Sequence, residues 1–516
     1  MRLPEIQYNI SKSKSEIVTM RGINWSDQLQ DGDLRDSVNL SARRYPYLTT
    51  RHGRAKQKKN DTDYYAGGTA LTAWGKLVAV EGTNLLYDGA VVGTVTAGAK
   101  QFAVVNTKMV IWPDKVYLDM KTRTVKPLAA TVTGSKAVFT TSTMKVTGWG
   151  DLTEQFAAGD AITLSGCTTE TKNNKDIVIK SLTADTITVQ DKAFTAATEE
   201  STAIKLERKV PDMDYICESE NRLWGCSNEA QTIYASSMGD PTNFNVFEGL
   251  STDSYALAVG TEGDFTGCCK LTSSVLFWKE TKLHKILGGY PSEYSLYTYD
   301  IEGLQAGCHK SLQVINEVLF YMGLHGVYAY SGGTPSLISA NFGERHFTEA
   351  VGGSDGDTYY LCVKEGSFHH FLVYETRAGI WVKEDATKAV DFARIGKDMY
   401  FMDGGGSVWL ADSGKDEAGL EWLAQFTPFY ETAQGRKTYS RLLLRVELPR
   451  GSHLTAEVRC DGKPWRSCGK VVGREGDVVP LRIALNRCDK FEIRLQGKGP
   501  CTILSMLREF SVGSDV

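Results

Sequence analysis

The feature that most narrows the fold of this chain is a repeated grammar. A short apolar strand is followed by a turn built on Gly, Asn or Asp, and then by a second strand rich in aromatics. Leu77-Val78-Ala79-Val80 leads through Glu81-Gly82-Thr83-Asn84 to Leu85-Leu86-Tyr87, and Met109-Val110-Ile111-Trp112 leads through Pro113-Asp114 to Val116-Tyr117-Leu118. The same pairing joins Arg222-Leu223-Trp224 to Ile233-Tyr234-Ala235, and Val275-Leu276-Phe277-Trp278 to Leu283 and Ile286. It returns where Val318-Leu319-Phe320-Tyr321 meets Val327-Tyr328-Ala329-Tyr330, and where Tyr359 to Val363 meets Phe371 to Tyr374. The last pair joins Met399 to Met402 with Val408-Trp409-Leu410. The later pairs recur about every 40 residues, the spacing of one four-stranded propeller blade. A lone hairpin cannot bury both faces, whereas radial stacking covers them and leaves only short edges. The pattern predicts an all-β chain with a β-propeller of about seven blades. A run of unrelated hairpins in a sandwich is the other arrangement it allows, since no WD or kelch signature is present.

Two stretches break the period. Residues 131–208 carry Ala161 to Leu164, Ile177 to Ile179, Thr186 to Val189 and Ala203 to Leu206, which read as an inserted small β-barrel or sandwich in a loop between blades. From 425 to 516 apolar residues alternate at Leu442, Leu444, Val446 and Leu448, then at Leu454, Ala456 and Val458. They alternate again within Val479 to Leu485, then at Phe491, Ile493 and Leu495, with Leu504 and Met506 in a fifth run. Five strands with one wet face predict a C-terminal β-sandwich. The expected order is an N-terminal lead and basic loop (1–60), first blades (61–130), the insertion (131–208), the remaining blades (209–424) and the sandwich (425–516). Helical periodicity is nearly absent, and its best candidate, Asp416 to Gln425, is only a few turns long.

Composition closes off several function classes. With 58 basic and 62 acidic residues the formal net charge is -4, which excludes binding nucleic acid through bulk positive charge. A local patch remains: Arg43, Arg44, Arg51, Arg54, Lys56, Lys58 and Lys59, with Tyr45 and Tyr47 interleaved. Such a run suits a phosphate backbone, or subunit contacts. As a plain solvated loop, or one pairing with acid on a neighbouring subunit, it needs no ligand. The first twenty residues lack a signal peptide's apolar stretch and nothing approaches a membrane span, so a cytosolic, soluble chain is expected. Eleven cysteines without CxxC spacing argue against a disulfide framework or a four-cysteine zinc site and read as small buried hydrophobes. The 50 glycines against 13 prolines suit many tight turns.

No constellation in the sequence carries chemistry. Gly352-Gly353-Ser354-Asp355-Gly356 matches G-x-S-x-G, but a Gly-rich loop followed by a strand from Thr358 lacks the strand-turn-helix context of a nucleophile elbow. None of the eight histidines stands at a metalloenzyme spacing, and the adjacent His369 and His370 should point to opposite faces of a strand. Asp61-Thr62-Asp63 and Asp355-Gly356-Asp357 lack the other ligands of a calcium loop and read as turns. There is no Walker loop, and no cofactor is expected. Propeller glycosidases use paired carboxylates, but here the strands are mostly apolar and no Asp, Glu, Arg and Tyr set recurs from blade to blade. The chain is expected not to be an enzyme.

Two segments do resemble a known group. Gly22-Ile23-Asn24-Trp25 through Asp36-Ser37-Val38-Asn39-Leu40 to Tyr45-Pro46-Tyr47-Leu48-Thr49-Thr50-Arg51-His52-Gly53-Arg54 is similar to the segment that precedes the first blade in tailed-bacteriophage propeller proteins, the tail nozzle family among them. Asn221-Arg222-Leu223-Trp224 followed by Ile233 to Phe244, with Gly239-Asp240-Pro241-Thr242-Asn243-Phe244, resembles a stretch of phage virion propellers. The resemblance covers the propeller and its lead. It implies a structural virion component of the tail, nozzle or adaptor, assembled in the host bacterial cytoplasm as a homo-oligomeric ring, with six subunits expected. Its partners would be neighbouring tail or head-to-tail connector proteins, with non-specific contact to phage DNA in the lumen during ejection and no membrane span. Two other expectations stand beside it. One is a carbohydrate-binding or adhesive propeller in which Trp112, Trp224 or Trp278 stacks on sugars, although core packing suits those positions better. The other is a polysaccharide-degrading propeller.

Overall fold

The computed structural model describes residues 12–189, 192–200, 203–431, 435–474, 478–483 and 487–512. Strands dominate throughout, and the helical elements among these residues are four three-residue 3-10 turns. The chain divides into two compact units, Met1–Leu77 with Lys310–Val516, and Val78–His309. No helix among the described residues is long and apolar enough to cross a membrane.

Seven four-stranded antiparallel sheets, with first strands beginning at Gly68, Gln101, Tyr215, Gly267, Gln313, Glu349 and Ala389, form the seven-bladed β-propeller. Each hairpin read from the sequence supplies the second and third strands of a blade, as in Arg222–Ser227 paired with Thr232–Ala235. The first and fourth strands are less apolar; Ser295–Asp300, the fourth strand of its sheet, is exposed along most of its length. The turn between Ser219 and Arg222 needs Glu220 and Asn221 both at positive φ, +51° and +59°, the geometry of a two-residue hairpin whose twist matches its strands. Large aromatics fill the space between blades. Trp224, Phe265 and Phe277 lie with Cys226 and Cys268 in one buried cluster between the third and fourth sheets, and Tyr294 meets Trp224 edge-on at 5.2 Å. Burying an aromatic of this size contributes about 4 to 6 kcal/mol at about 25 cal/mol per Å².

The seventh blade is completed from the N-terminal side. Its strands Ala389–Ile395, Asp398–Asp403 and Val408–Leu410 take Ala55–Lys56 as the fourth, in register Leu410 to Ala55 and Trp409 to Lys56. Gly67 and Gly68 donate backbone hydrogen bonds to Gly405 and Gly406, and a Cβ on Gly406, at φ +76°, would collide with the backbone of Gly68. Sequence distant by more than 300 residues thus closes the last blade, an arrangement that leaves no free edge there.

Residues 130–208 form a sheet of eight strands from Ala130–Gly134 to Ile204–Arg208, around a core of Phe139, Met144, Ile162, Leu164, Ile179 and Ile187. The C-terminal sheet has eleven strands, and several come from the N-terminal side: Lys12–Ile17 and Leu48–Thr50 pair with Thr502–Val512, and Asp33–Val38 pairs with Glu421–Phe426.

Several expectations are corrected here. The helical candidate at Asp416 to Gln425 is a turn followed by the strand Glu421–Phe426, because its apolar residues are taken up by the neighbouring Phe491–Lys498. The runs at Leu442 and Leu454 are one strand, Lys437–Cys460; its first half pairs with Thr502–Val512 and its second with Phe491–Lys498. Gly352 and Gly353 lie in the strand Glu349–Ser354 rather than a loop, since a Cβ at either would strike Tyr359 or Phe392. In the third C-terminal run the strand is Val478–Arg482, and Ala484 and Leu485 lie outside the described residues, as does Met1 to Ser11 of the leader expectation. Cys460 and Cys488, read as unpaired, are joined in a disulfide with Cα atoms 5.4 Å apart. Their separation of 28 residues gives no spacing signal; they meet because Cys460 pairs with Phe491 across the sheet.

Candidate functional site

The basic run singled out by the sequence is bound up within its own chain. Arg44 forms a two-armed pair with Glu447, at 2.5 and 3.3 Å, tying the N-terminal segment to the long C-terminal strand. Arg54 is buried and reaches Glu384 at 2.8 Å and Asp385 at 2.7 Å on the sixth blade, with its guanidinium over the Phe371 ring at 4.5 Å. Arg51 lies 3.7 Å from Glu384 and donates to Asn39 Oδ1 and the His52 carbonyl. Arg43 meets Asp416 at 3.6 Å. Lys56 stands over Tyr64 and Trp409, Lys58 donates to the Asp61 carbonyl, and the Lys59 backbone N–H donates to Asp63.

The same residues help to form a cleft of about 470 Å³. Arg43, Tyr45, Arg51 and His52 of the N-terminal segment face Asp355, Asp357, Tyr360, Glu375, Arg377 and Glu384 of the sixth blade and Asp412 beyond the seventh. Asp355 and Asp357 come from the turn between the blade's first two strands, where Asp355 Oδ1 accepts the backbone N–H groups of Asp357 and Thr358. His52 Nδ1 is 2.7 Å from Asp412. Burial raises the Glu375 carboxyl above its ordinary range, aided by Asp355, Asp357 and Glu384 and opposed by Arg377. Burial also raises Glu384, against the pull of Arg54 and Arg51, and pushes the Tyr360 phenol well up. Burial lowers Arg43 and Arg51. The chemistry is that of a charge-compensated joint with a wet, polar mouth, where Tyr45 is 47% exposed. Sequence reading missed Glu375, Glu384 and Asp412, since residues more than 300 positions apart assemble the cleft and no local pattern marks them.

The other features contribute no second centre. Ser354 is buried and its Oγ accepts from the Gly356 N–H, which leaves it no role as an exposed nucleophile. His370 bonds Glu365 at 3.0 Å, while His369 belongs to the opposite face. Among the described residues no group of three His, Cys, Asp or Glu side chains is placed to hold a metal ion. Trp112, Trp224 and Trp278 are fully buried and present no ring to a sugar.

No protein-family model matches the chain, and no curated protein matches it. Among solved structures it is similar to an exo-β-1,3-galactanase of Phanerochaete chrysosporium, at 10% identity over 56% of this chain and 92% of that one, with a TM-score of 0.22. It is also similar to Hsv2 of Kluyveromyces lactis, at 12% identity over 38% of this chain and 60% of that one (TM-score 0.27). A third is the extracellular domain of a one-component system of B. thetaiotaomicron, at 9% identity over 90% of this chain and 62% of that one (TM-score 0.37). Likeness at this level says nothing about chemistry.

Proposed function

We infer that the chain is a non-enzymatic structural component of a bacteriophage tail, one subunit of a ring, nozzle or adaptor, around the path of the DNA. The observation that carries this reading is the placement of the two segments that resemble phage propeller proteins: both lie at joints. The first, ending at Arg54, pairs with the C-terminal strand Thr502–Val512 through Leu48–Thr50 and grips the sixth blade through Arg54. In the second, Asp240 and Asn243 bind Lys108 of the second sheet and Asp160 of the insertion. Stiff joints between modules are what a ring wall needs, and the modules supply the unlike faces of a heterologous, closed contact. Six-fold assembly and contacts with neighbouring connector proteins belong to the same reading. Negative-stain images of the purified protein, and of tailed particles labelled with antibody to it, test it. Rings and labelled tails are expected; a strictly monomeric protein absent from every tail overturns it.

A second reading has its own observation. The cleft that sets the exposed Tyr45 among Asp355, Asp357, Glu375 and Arg377 offers an aromatic ring beside polar hydrogen-bonding groups, a combination that suits a sugar. A glycan array checks it: binding that is lost in Tyr45→Ala would favour an adhesive propeller, and an empty array would remove it.

A further inference from the structure

With the N-terminal arginines bound up in ion pairs, uncompensated positive charge gathers on the C-terminal sheet. Arg441 of Lys437–Cys460 stands directly opposite Arg482 of Val478–Arg482, in a register that continues Leu443 to Pro480 and Arg445 to Val478. Directly opposed residues of antiparallel strands project from the same face with Cβ atoms about 5 Å apart, and residues two apart share a face. Arg441, Arg445 and Arg482 therefore project together, all exposed, while Leu442 and Leu444 are buried on the other face. On the far flank Arg441 is opposed by Glu509, and Glu509 by Lys14. The Glu509 carboxylate is engaged elsewhere, at 3.2 Å from Lys12 and 3.0 Å from Ser440 Oγ. Among the described residues the other acids of this face are Glu16, opposite Leu507, and Glu447, two residues on from Arg445 and taken up by Arg44. Among the described residues none of Lys14, Arg441, Arg445 and Arg482 makes an ion pair.

Like charges set opposite each other destabilise a strand pair, so a face that keeps Arg441 against Arg482 with no carboxylate between them is suited to an anion from outside the chain. We propose that this face binds the phosphate backbone of double-stranded DNA. Guanidinium groups match phosphate oxygens in a two-armed geometry. Arg441 and Arg445 lie about 14 Å apart along the strand, at about 3.4 Å per residue, a span that meets more than one phosphate of a duplex. Among the described residues no aromatic stands on the face, so these supply neither the stacking platforms of a single-strand site nor the aromatic core of a protein interface. The identity of the polyanion rests on the tail reading; the contact itself is sequence-independent.

The test uses the full-length protein with two fluorescent duplexes of unrelated sequence, titrated by anisotropy across about 50 to 300 mM salt. Equal affinity for both duplexes is expected, with log Kobs falling against log salt at a slope of about -3 to -4 for three or four phosphate contacts. The triple variant Arg441→Ala, Arg445→Ala, Arg482→Ala should lose at least tenfold in affinity at the lowest salt and most of the slope. The corresponding triple Lys variant should keep the slope. Melting curves for the alanine variant at or above the wild-type temperature establish that it is folded. Absence of duplex binding, an unchanged slope in the alanine variant, or equal binding of poly-glutamate would overturn the proposal, the last in favour of an acidic protein partner. Because binding is read on the isolated protein, DNA binding without ring assembly would sink the tail reading alone, and rings that do not bind DNA would sink this one alone.

Discussion

Asn243 Nδ2 lies 3.1 Å from Asp160 Oδ1, and the backbone N–H of Ala161 returns a hydrogen bond to Asn243 Oδ1 at 3.2 Å, so one buried amide closes the joint between the third blade and the inserted sheet. The same Nδ2 reaches Asp240 at 2.6 Å, and Asp240 accepts from Lys108 at 2.9 Å. Asp160 in turn holds Arg208, at the last strand of the insertion.

Asn243→Ala removes donors from two carboxylates, of which Asp160 is buried. Hydrogen bonds to charged groups are worth about 1.5 to 3 kcal/mol each, so a loss of about 3 kcal/mol is expected, confined to the joint. Limited proteolysis should then cut faster near Ala130 and Arg208 while the propeller core stays protected. An Asn243→Ala protein digested at the wild-type rate would show that the joint is held by other contacts.

Arg54 is the buried partner of Glu384. Arg54→Ala leaves that carboxylate enclosed with Arg51, at 3.7 Å, as its remaining cation, so a loss of about 3 kcal/mol is expected, the low end for a broken buried pair. Burial already raises Glu384 above its ordinary value, so without Arg54 it takes up a proton more readily and the loss should shrink as pH falls. Denaturant melts at neutral pH and near pH 4 check this, and the double variant with Glu384→Gln should recover much of the loss. Equal losses at both pH values would mean that packing over Phe371, rather than charge, is what Arg54 supplies.

The blade hairpins were legible because their second and third strands are enclosed by neighbouring blades and must be apolar on both faces, as in Ser274–Trp278, where every residue is buried. First and fourth strands were not legible. Ser295–Asp300 and Thr124–Pro127 are largely exposed and carry no buried apolar alternation; Tyr297-Thr298-Tyr299 suits a strand by propensity, but without that alternation propensity alone does not mark one. The split of Lys437–Cys460 into two runs has a similar cause: Pro449-Arg450-Gly451 reads as a turn, and the register does break between Leu448 and His453 with Gly451 at φ +87°, but pairing with distant strands on both sides carries one strand across it. The basic run was visible, but its partners Glu384, Asp385 and Glu447 lie more than 300 residues away, so its destination was not. Arg441 and Arg482 looked like ordinary polar positions of amphipathic strands until register set them side by side.

His284 is fully buried between the hydroxyls of Thr261, at 2.9 Å, and Thr298, at 2.8 Å. Burial, with Lys279 and Lys282 nearby, lowers its pKa from 6.5 to about 4. The unfolded chain therefore binds this proton at a pH where the folded chain does not. Its contribution is fully present above about pH 6.5 and is lost as pH falls towards 4, by about 3 kcal/mol in all at 1.36 kcal/mol per pH unit. In His284→Gln the step between pH 6.5 and 4 should flatten by that amount. A wild-type stability curve with the same slope as the variant in this window would remove His284 as the cause.

The disulfide between Cys460 and Cys488 closes a loop across the C-terminal sheet, from the end of Lys437–Cys460 to the bridge between Cys488 and Lys437. With a sequence separation of 28 residues, the chain-entropy relation gives about 3 to 4 kcal/mol of stabilisation. The other nine of the eleven cysteines carry no disulfide, and seven of them lie in or beside strands of the propeller and insertion. Thiol titration of the denatured protein should give nine groups before reduction and eleven after. Reductant should lower the wild-type melting transition of the C-terminal sheet, and Cys460→Ser should melt low in its presence or absence. Eleven thiols before reduction would mean that the two sulfurs sit side by side unbonded, and reductant would then leave the melting transition where it was.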